Sequence, residues 1–326
     1  MTISVIVPTY RRVEELTRCL AALQRQQRPA DQVLVTVRDT DVETRKFLAA
    51  RPAGGLQIEM VDVTEPGVIA AMNAALRVAN GDVIALTDDD AAPWPDWLDR
   101  IEKHFAADPR LGGVGGRDWQ YKNGQLDDGA ALHCGQLQWW GRVKGMHHHA
   151  VAGPPHEAVV IKGVDCAYRA GPLKEIGFDA RLAGSGAQVH WELGLGLAMR
   201  RAGWKILFDP SVGVDHFPAV RFDEDQRGTF SSLAQRNAVA NETLLLFEHL
   251  SGVHRWVFLF WAFFVGTGAA PGLLQFPRAL SERKWNAGPF WMATQKGRFQ
   301  GLAMYRKDKK SRARLGSRRE ISEQTR

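Results

Sequence analysis

Between residues 3 and 105 the sequence alternates two periodicities, and that alternation limits the chain to few folds. Ile3–Val7 is a continuous apolar run ended by Pro8, as expected of a strand buried on both faces. Glu14–Gln26 follows, with Leu16, Cys19, Leu20 and Leu23 on one helical stripe. Gln32–Val37, Ile58–Val63 and Asp82–Leu86 read as further strands, with Val42–Ala50, Val68–Ala79 and Trp94–Phe105 as helices. Strands separated by helices form a mostly parallel sheet with right-handed crossovers. Such a sheet binds ligands beyond the carboxyl ends of its strands, which is where Asp39 and the run Asp88-Asp89-Asp90 fall.

The pattern weakens over residues 117–160, which are rich in Gly, His and Trp and read as long loops. It returns at Glu157–Val164, in a helix near Trp191–Ala202, in strands at Lys205–Phe208 and Val212–Val214, and in a helix over Phe222–Leu250. Cys19, Cys134 and Cys166 show no paired spacing, so neither a disulfide framework nor a cysteine zinc site is expected, and a reducing compartment fits. Thr2–Pro8 has no basic stretch before its apolar run and reads as a strand, not a signal peptide.

The formal net charge of +6 conceals an asymmetry. From Arg278 onward there are 14 Lys/Arg against 4 Asp/Glu, a net of +10, which leaves −4 on residues 1–277. Lys307, Lys309, Lys310, Arg312, Arg314, Arg318 and Arg319 form a polybasic end suited to anionic lipid headgroups or nucleic acid. Most of it is expected to be solvated and disordered. Trp256 to Leu274 is uncharged, aromatic-rich and interrupted by Gly266, Gly268, Pro271 and Gly272. It is at the low end of the length needed to span a bilayer. Basic residues on both flanks (Arg255 before, Arg278, Arg283 and Lys284 after) favour a re-entrant or interfacial segment on the cytoplasmic side. Beside this run the polybasic end points to a membrane surface and not to nucleic acid. A soluble core helix with a proline break is the alternative.

Three adjacent carboxylates at a strand end repel one another and are costly unless a cation or a donor offsets them. Mg²⁺ and Mn²⁺ prefer oxygen ligands, and a nucleoside diphosphate brings more oxygens and needs its charge neutralised as it leaves. Asp88–Asp90, following the apolar strand Val83-Ile84-Ala85-Leu86, is therefore a candidate diphosphate–metal site. Gly112-Gly113-Val114-Gly115-Gly116 is not a dinucleotide fingerprint, because the spacing is wrong and no ribose-binding acid follows. His147-His148-His149, with His133 and His156, has no fixed ligand spacing, and three consecutive histidines cannot all face one ion. These histidines read as an acceptor-side loop, and Trp139-Trp140 could stack on a sugar or lipid or simply pack.

The order of pieces resembles the family-2 glycosyltransferases of GT-A fold. The pieces are Val7-Pro8-Thr9-Tyr10-Arg11; Asp39; Gly67 through Asn73-Ala74-Ala75-Leu76 to Ala79-Asn80-Gly81-Asp82; Leu86-Thr87-Asp88-Asp89-Asp90; Gly163-Val164-Asp165-Cys166-Ala167-Tyr168-Arg169; Gly177-Phe178-Asp179; and Arg200-Arg201-Ala202-Gly203-Trp204-Lys205-Ile206. They cover residues 1–220, which would be the catalytic domain, followed by a helical region over 221–277 and a basic tail over 278–326. The resemblance implies an inverting transfer of a sugar from a nucleoside diphosphate sugar, UDP-linked, to a hydroxyl of a glycan or lipid-linked acceptor, as in cell-envelope synthesis. It implies that Thr9 and Asp39 contact the base, that Tyr10 and Arg11 lie near base or diphosphate, and that Asp88 and Asp89 face the donor. Asp90, with His216, would hold a divalent metal, Mg²⁺ or Mn²⁺. Where the family usually has Glu-Asp opening a helix, this chain has Trp191-Glu192, so Glu192 is the candidate base and His190 its possible substitute. Asp165 stands where Asn is commoner and is expected as a second acid of the acceptor site. A nucleotidyltransferase would need a Gly-rich basic loop after the first strand, which Thr9-Tyr10-Arg11-Arg12 lacks. A catalytically inactive membrane scaffold is the other alternative, and only the altered Trp191-Glu192 supports it.

Overall fold

The computed structural model describes residues 1–50, 55–283 and 286–324. β1 (Ile3–Thr9), α1 (Val13–Gln24), β2 (Gln32–Arg38), α2 (Val42–Ala49), β3 (Ile58–Val63), α3 (Val68–Val78) and β4 (Val83–Leu86) alternate as their periodicity requires. After them come β5 (Ala91–Pro93), α4 (Trp97–Ala107) and β6 (Leu111–Lys122). The short strands β7 (Gln125–Leu126), β8 (Gln136–Leu137), β9 (Val143–Lys144) and β10 (His156–Glu157) lead to β11 (Cys166–Arg169), α5 (Ala170–Ile176), α6 (Trp191–Arg201) and β12 (Lys205–His216). The chain closes with α7 (Ser232–His249), α8 (Gly252–Phe264), α9 (Phe276–Arg283) and α10 (Ala287–Gln324).

The main sheet has the order β10-β12-β6-β11-β4-β1-β2-β3, with β5 added on β12 and β7 on β6. β3, β2, β1 and β4 are parallel, and β12 is parallel to β6. β11 runs antiparallel between β4 and β6. Alternation along β1 sends Val5 and Val7 to the core shared with α1 and α4, and Ile6 to the core shared with α3, α6 and α7. A sheet covered on both faces is what the apolar runs demanded.

Pro8 opens the edge where the site lies. The carbonyls of Thr2 and Ile6 accept from Val83 of β4 and from Thr87 just after it, so even-numbered residues of β1 face β4. Position 8 is next in that row, and proline has no N–H to donate. The β1–β4 ladder stops at Ile6–Leu86, and Asp88–Asp90 leave the sheet.

Three expectations are corrected. The helix expected from Phe222 begins at Ser232, where Ser231 caps it by accepting from the Ala234 N–H at 3.2 Å; residues 217–231 form a loop instead. The two strands expected around Phe208 and Val212 are one strand with a bulge. The basic end is not a free tail over its first part, because α10 packs along α7. Arg298 there is 1% exposed and donates to Glu242 at 2.7 Å and to Thr243 at 3.2 Å. A buried cation so paired is integral to its helix pair, and losing one partner of such a pair costs about 3–5 kcal/mol. The side chains of Lys284, Lys310, Arg312, Arg314, Arg318 and Arg319 lie outside the described residues.

The apolar run from Trp256 is divided between α8 and a turn closed by a bridge between Gly266 and Pro271. Phe258, Leu259 and Ala262 of α8 face the core, whereas Trp256, Phe260 and Phe264 are exposed. Among the described residues no helix is long and apolar enough to cross a membrane.

Candidate active site

At the carboxyl ends of β1 and β4 lies a cavity of about 550 Å³. Its walls include Thr9, Tyr10 and Arg12 after β1, Asp88–Asp90 after β4, Gly163, Trp191 and Glu192 at the start of α6, and Arg221, Phe222 and Arg227 from the loop after β12.

The three aspartates have different surroundings. Asp89 is buried, and its two oxygens accept from the Thr9 hydroxyl at 2.8 Å and from Arg12 at 2.7 Å. It ties the end of β4 to the end of β1, and burial pushes its carboxyl up to about 7 against the pull of Arg12. Asp90 accepts through Oδ2 from the Ala219 N–H at 2.9 Å and from Arg227 at 3.1 Å. Its Oδ1 lies 3.4 Å from His216 Nε2, and neither atom has another hydrogen-bond partner. Burial would raise the Asp90 pKa, but His216, the Ala219 N–H and Arg227 together drive it below the usual carboxylate range. Asp88 is half-buried, and its pKa is raised by burial and by the charge on Asp90.

One ligand atom from each of Asp88, Asp90 and His216 lies within 4.8 Å of the others. Two orphaned, buried polar atoms facing each other beside a third donor fit a divalent cation, which would satisfy both. His216 is oriented from behind by Asp118 on β6, 3.3 Å from its Nδ1. That carboxylate–imidazole contact fixes the ring so that Nε2 faces Asp90, as a carboxylate behind a metal-binding histidine does. Burial opposes ionisation of Asp118, but His216 and Lys162 hold it down at about 2.

Glu192 lies in the first turn of α6 and lines the cavity. Its Oε1 accepts from the Gly163 N–H at 3.4 Å. A Cβ at position 163 would come within 2.4 Å of the Trp191 ring, so glycine is what lets α6 bring Trp191 and Glu192 to this wall. Burial, followed by the charge on Asp88, raises the Glu192 pKa.

Other predicted positions fall elsewhere. His190 does not line the cavity; its imidazole is half-buried, and its neighbouring charges are Glu242 of α7 and Arg298 of α10. The Thr9 hydroxyl lines the cavity but spends its proton on Asp89, so it can meet a base only as an acceptor. Asp39 is exposed just beyond β2, with its N–H bonded to the Val63 carbonyl; the cavity wall there is Arg38 and Val63. Arg11 is exposed outside the wall, with its guanidinium 5.0 Å over the Tyr10 ring. Tyr10 also meets Arg38 at 5.2 Å and the edge of Phe222 at 6.3 Å, giving the cavity a cationic and aromatic end. Asp165 does not reach the acceptor side: it is fully buried and accepts from the Trp97 indole at 2.7 Å.

The sequence reading missed Arg12, Asp118, Arg221 and Arg227. Arg12 had a usable signal, a second arginine directly after the first strand end. Arg227 lies inside the stretch expected as helix over Phe222–Leu250, and Arg221 directly before it.

The family described as Glycosyl transferase family 2 matches residues 4–170, more than half of the chain. The chain belongs to that family. Glycosyltransferase AglE of Haloferax volcanii is 30% identical over 104 residues, which is 30% of this chain and 33% of AglE. The match thus spans about a third of that relative's length. Mannosyltransferase PcManGT from Pyrobaculum calidifontis, solved with GDP-Man and Mn²⁺, superposes with a TM-score of 0.54 at 18% identity over 92% of this chain and 86% of its own. S. aureus TarS 1-349, solved with UDP-GlcNAc, gives 0.57 at 15% identity over 97% and 92%. GalNAc-T7, solved with UDP, GalNAc and Mn²⁺, gives 0.59 at 13% identity over 90% and 54%. These likenesses show the GT-A fold.

In this family-2 chain Asp165 is a buried acid with one oxygen, Oδ2, unpartnered, and burial pushes its pKa up to about 8. A carboxyl whose pKa is raised on folding stabilises the fold below its unfolded pKa of about 4 and loses that contribution as pH rises to 8. Stability of the wild type should therefore fall between pH 4 and 8 relative to Asp165→Asn, with the difference levelling above 8. Urea denaturation across that range checks it; parallel pH profiles would contradict it.

Proposed function

We propose that this chain transfers a sugar from a nucleoside diphosphate sugar, with UDP as the nucleotide, to an acceptor hydroxyl with inversion. The observation that carries the reading is the facing pair of Asp90 Oδ1 and His216 Nε2, 3.4 Å apart and otherwise unpartnered, on the carboxyl edge of the sheet. Asp88, Asp90 and His216 would hold the divalent ion, Mn²⁺ or Mg²⁺. When bound, that ion supplies charge neutralisation for the departing diphosphate.

The other roles fall to the chain's own side chains. Arg12, held in place by Asp89, and Arg221 and Arg227 add positive charge to the same end of the cavity. Tyr10, flanked by Arg38 and Phe222, offers a face on which the base can stack. Glu192, with its raised pKa, accepts the proton of the acceptor hydroxyl as that oxygen bonds to the anomeric carbon and the bond to the diphosphate breaks. Glu192 acting as a single general base corresponds to a single displacement, and hence inversion.

The acceptor is proposed to be lipid-linked or close to a membrane, with the enzyme resting on the bilayer face that meets the nucleotide-sugar pool. Trp256, Phe260 and Phe264 on α8, with Leu274 beyond it, are exposed, Phe260 at 66% and Leu274 at 70%. Phe299 on α10 is exposed too and contacts Phe263 of α8 at 5.2 Å, so these side chains share a neighbourhood. An exposed apolar aromatic face on a chain whose C-terminal sequence is rich in Lys and Arg is the form of an interfacial anchor. Each buried aromatic contributes about 1.5–3 kcal/mol and each nearby Lys or Arg about 1.

UDP with Mn²⁺ should raise the melting temperature of the wild type, and Asp90→Ala should abolish that shift. Glu192→Gln should keep the shift while turnover falls by about 10²–10⁴. An unchanged shift in Asp90→Ala would remove the metal assignment, equal turnover in Glu192→Gln would remove Glu192 from the mechanism, and no turnover by either protein would favour a non-catalytic scaffold. The wild type should sediment with anionic phospholipid vesicles and Phe260→Glu/Leu274→Glu should not. Equal partition of the two proteins would contradict the anchor.

A further inference from the structure

His147, His148 and His149 form a single 3-10 turn entered through Met146 at φ 58°. His147 points inward: it is buried, its Nε2 is 2.9 Å from the Val160 carbonyl oxygen, and its ring packs on Phe208 at 5.4 Å. With one histidine used as the anchor, three consecutive residues need not face one ion; two remain. The backbone places them. The Ala131 N–H donates to the His149 carbonyl at 2.7 Å, and the Val151 N–H donates to the Ala131 carbonyl at 3.1 Å. These bonds lay the turn against the segment after β7, where the Asp127 N–H is held by the Gln120 carbonyl at 2.8 Å.

The result is a converging donor set. One ring nitrogen of His148, one of His149 and a carboxylate oxygen of Asp127 lie within 4.8 Å of one another. The two rings are 3.9 Å apart, and His149 Nε2 is 3.3 Å from Asp127 Oδ1. Gly129 makes room for this: a Cβ there would stand 2.4 Å from Cγ of His149 and push the ring away. All three side chains are half-buried, so the donors are partly shielded yet reachable.

We propose that Asp127, His148 and His149 form a second metal site, distinct from the one at Asp90, that takes Zn²⁺ or a similar borderline transition-metal ion. Two imidazoles and one carboxylate suit such an ion, whereas Mg²⁺ and Mn²⁺ favour the oxygen-rich set at the end of β4. Asp127 Oδ1 is the ligand oxygen. Oδ2 keeps Lys122, whose Nζ is 2.5 Å away and whose charge lowers the affinity of the site. Three protein ligands leave a fourth position to water. An ion here clips the His turn to the end of the β6–β7 hairpin. Gln120 lies in the same hairpin, and its side chain contacts both Asp118 and His216.

The test is Zn²⁺ binding to chelator-treated full-length protein by calorimetry. Wild type should bind two equivalents and the Asp90→Ala/His216→Ala variant one. Adding His148→Ala/His149→Ala to that background should remove the last, and adding Lys122→Ala instead should tighten it several-fold. His148→Ala/His149→Ala in otherwise wild-type protein should retain its Mn²⁺-dependent UDP shift, which shows that the fold survives. The proposal is overturned if the Asp90→Ala/His216→Ala protein binds no Zn²⁺, or binds it equally with and without the two histidines. Zn²⁺ binding is read without nucleotide, so a failure of the donor assignment leaves this result independent.

Discussion

The site depends on keeping negative charge together at the end of β4. Two carboxylates about 5 Å apart repel by about 3 kcal/mol at an effective dielectric of 20, and burial adds to the cost. The surrounding chain offsets this from three directions. Arg12 reaches from the end of β1 to Asp89, Arg227 reaches from the loop after β12 to Asp90, and His216 lies against Asp90 from the end of β12. What remains uncompensated is the pair of atoms between Asp90 and His216, and that residual is the part proposed to hold the metal. The neighbouring carboxylates therefore differ: all three line the cavity, but Asp89 is tied to Thr9 and Arg12, while Asp88 and Asp90 converge with His216.

The fold supplies these partners through its topology. β12 is the third strand from β4, with β6 and β11 between them, yet its last residue returns to Asp90 because β5 pairs with its end. Asp118 on β6 stands behind His216, so three sheet elements must be in register before one imidazole is aimed. Pro8, by ending the β1–β4 ladder, frees the residues that follow β4 to turn into the cleft. Glu192 enters from a separate helix, and its placement rests on the absence of a side chain at Gly163.

Much of this could be read from the chain. The continuous apolar runs and helical stripes marked out the alternating half of the sheet, strand-end position singled out Asp88–Asp90, and the family resemblance pointed to His216. The motif order located Glu192 despite the Trp191 before it. What could not be read has a common cause: contacts between segments far apart in sequence. Asp118 and His216 are 98 positions apart, and Asp90 and Arg227 are 137 apart. His190 and Glu192 are near neighbours in sequence, yet covering helices draw one into the α7–α10 interface while the other stays in the cavity. Charge counting misjudged the C-terminal end for the same reason: one buried arginine on α10 finds its glutamate on α7.

The central claim is that Asp90 and His216 grip one divalent ion together. Anomalous diffraction from a crystal of the full chain grown with Mn²⁺ and UDP tests it directly. The account predicts an anomalous peak bonded to Asp90 Oδ1 and His216 Nε2 at about 2.0–2.3 Å and touching the diphosphate. Diphosphate bound in the cleft with no peak between those two atoms, or with His216 turned away from Asp90, would contradict it.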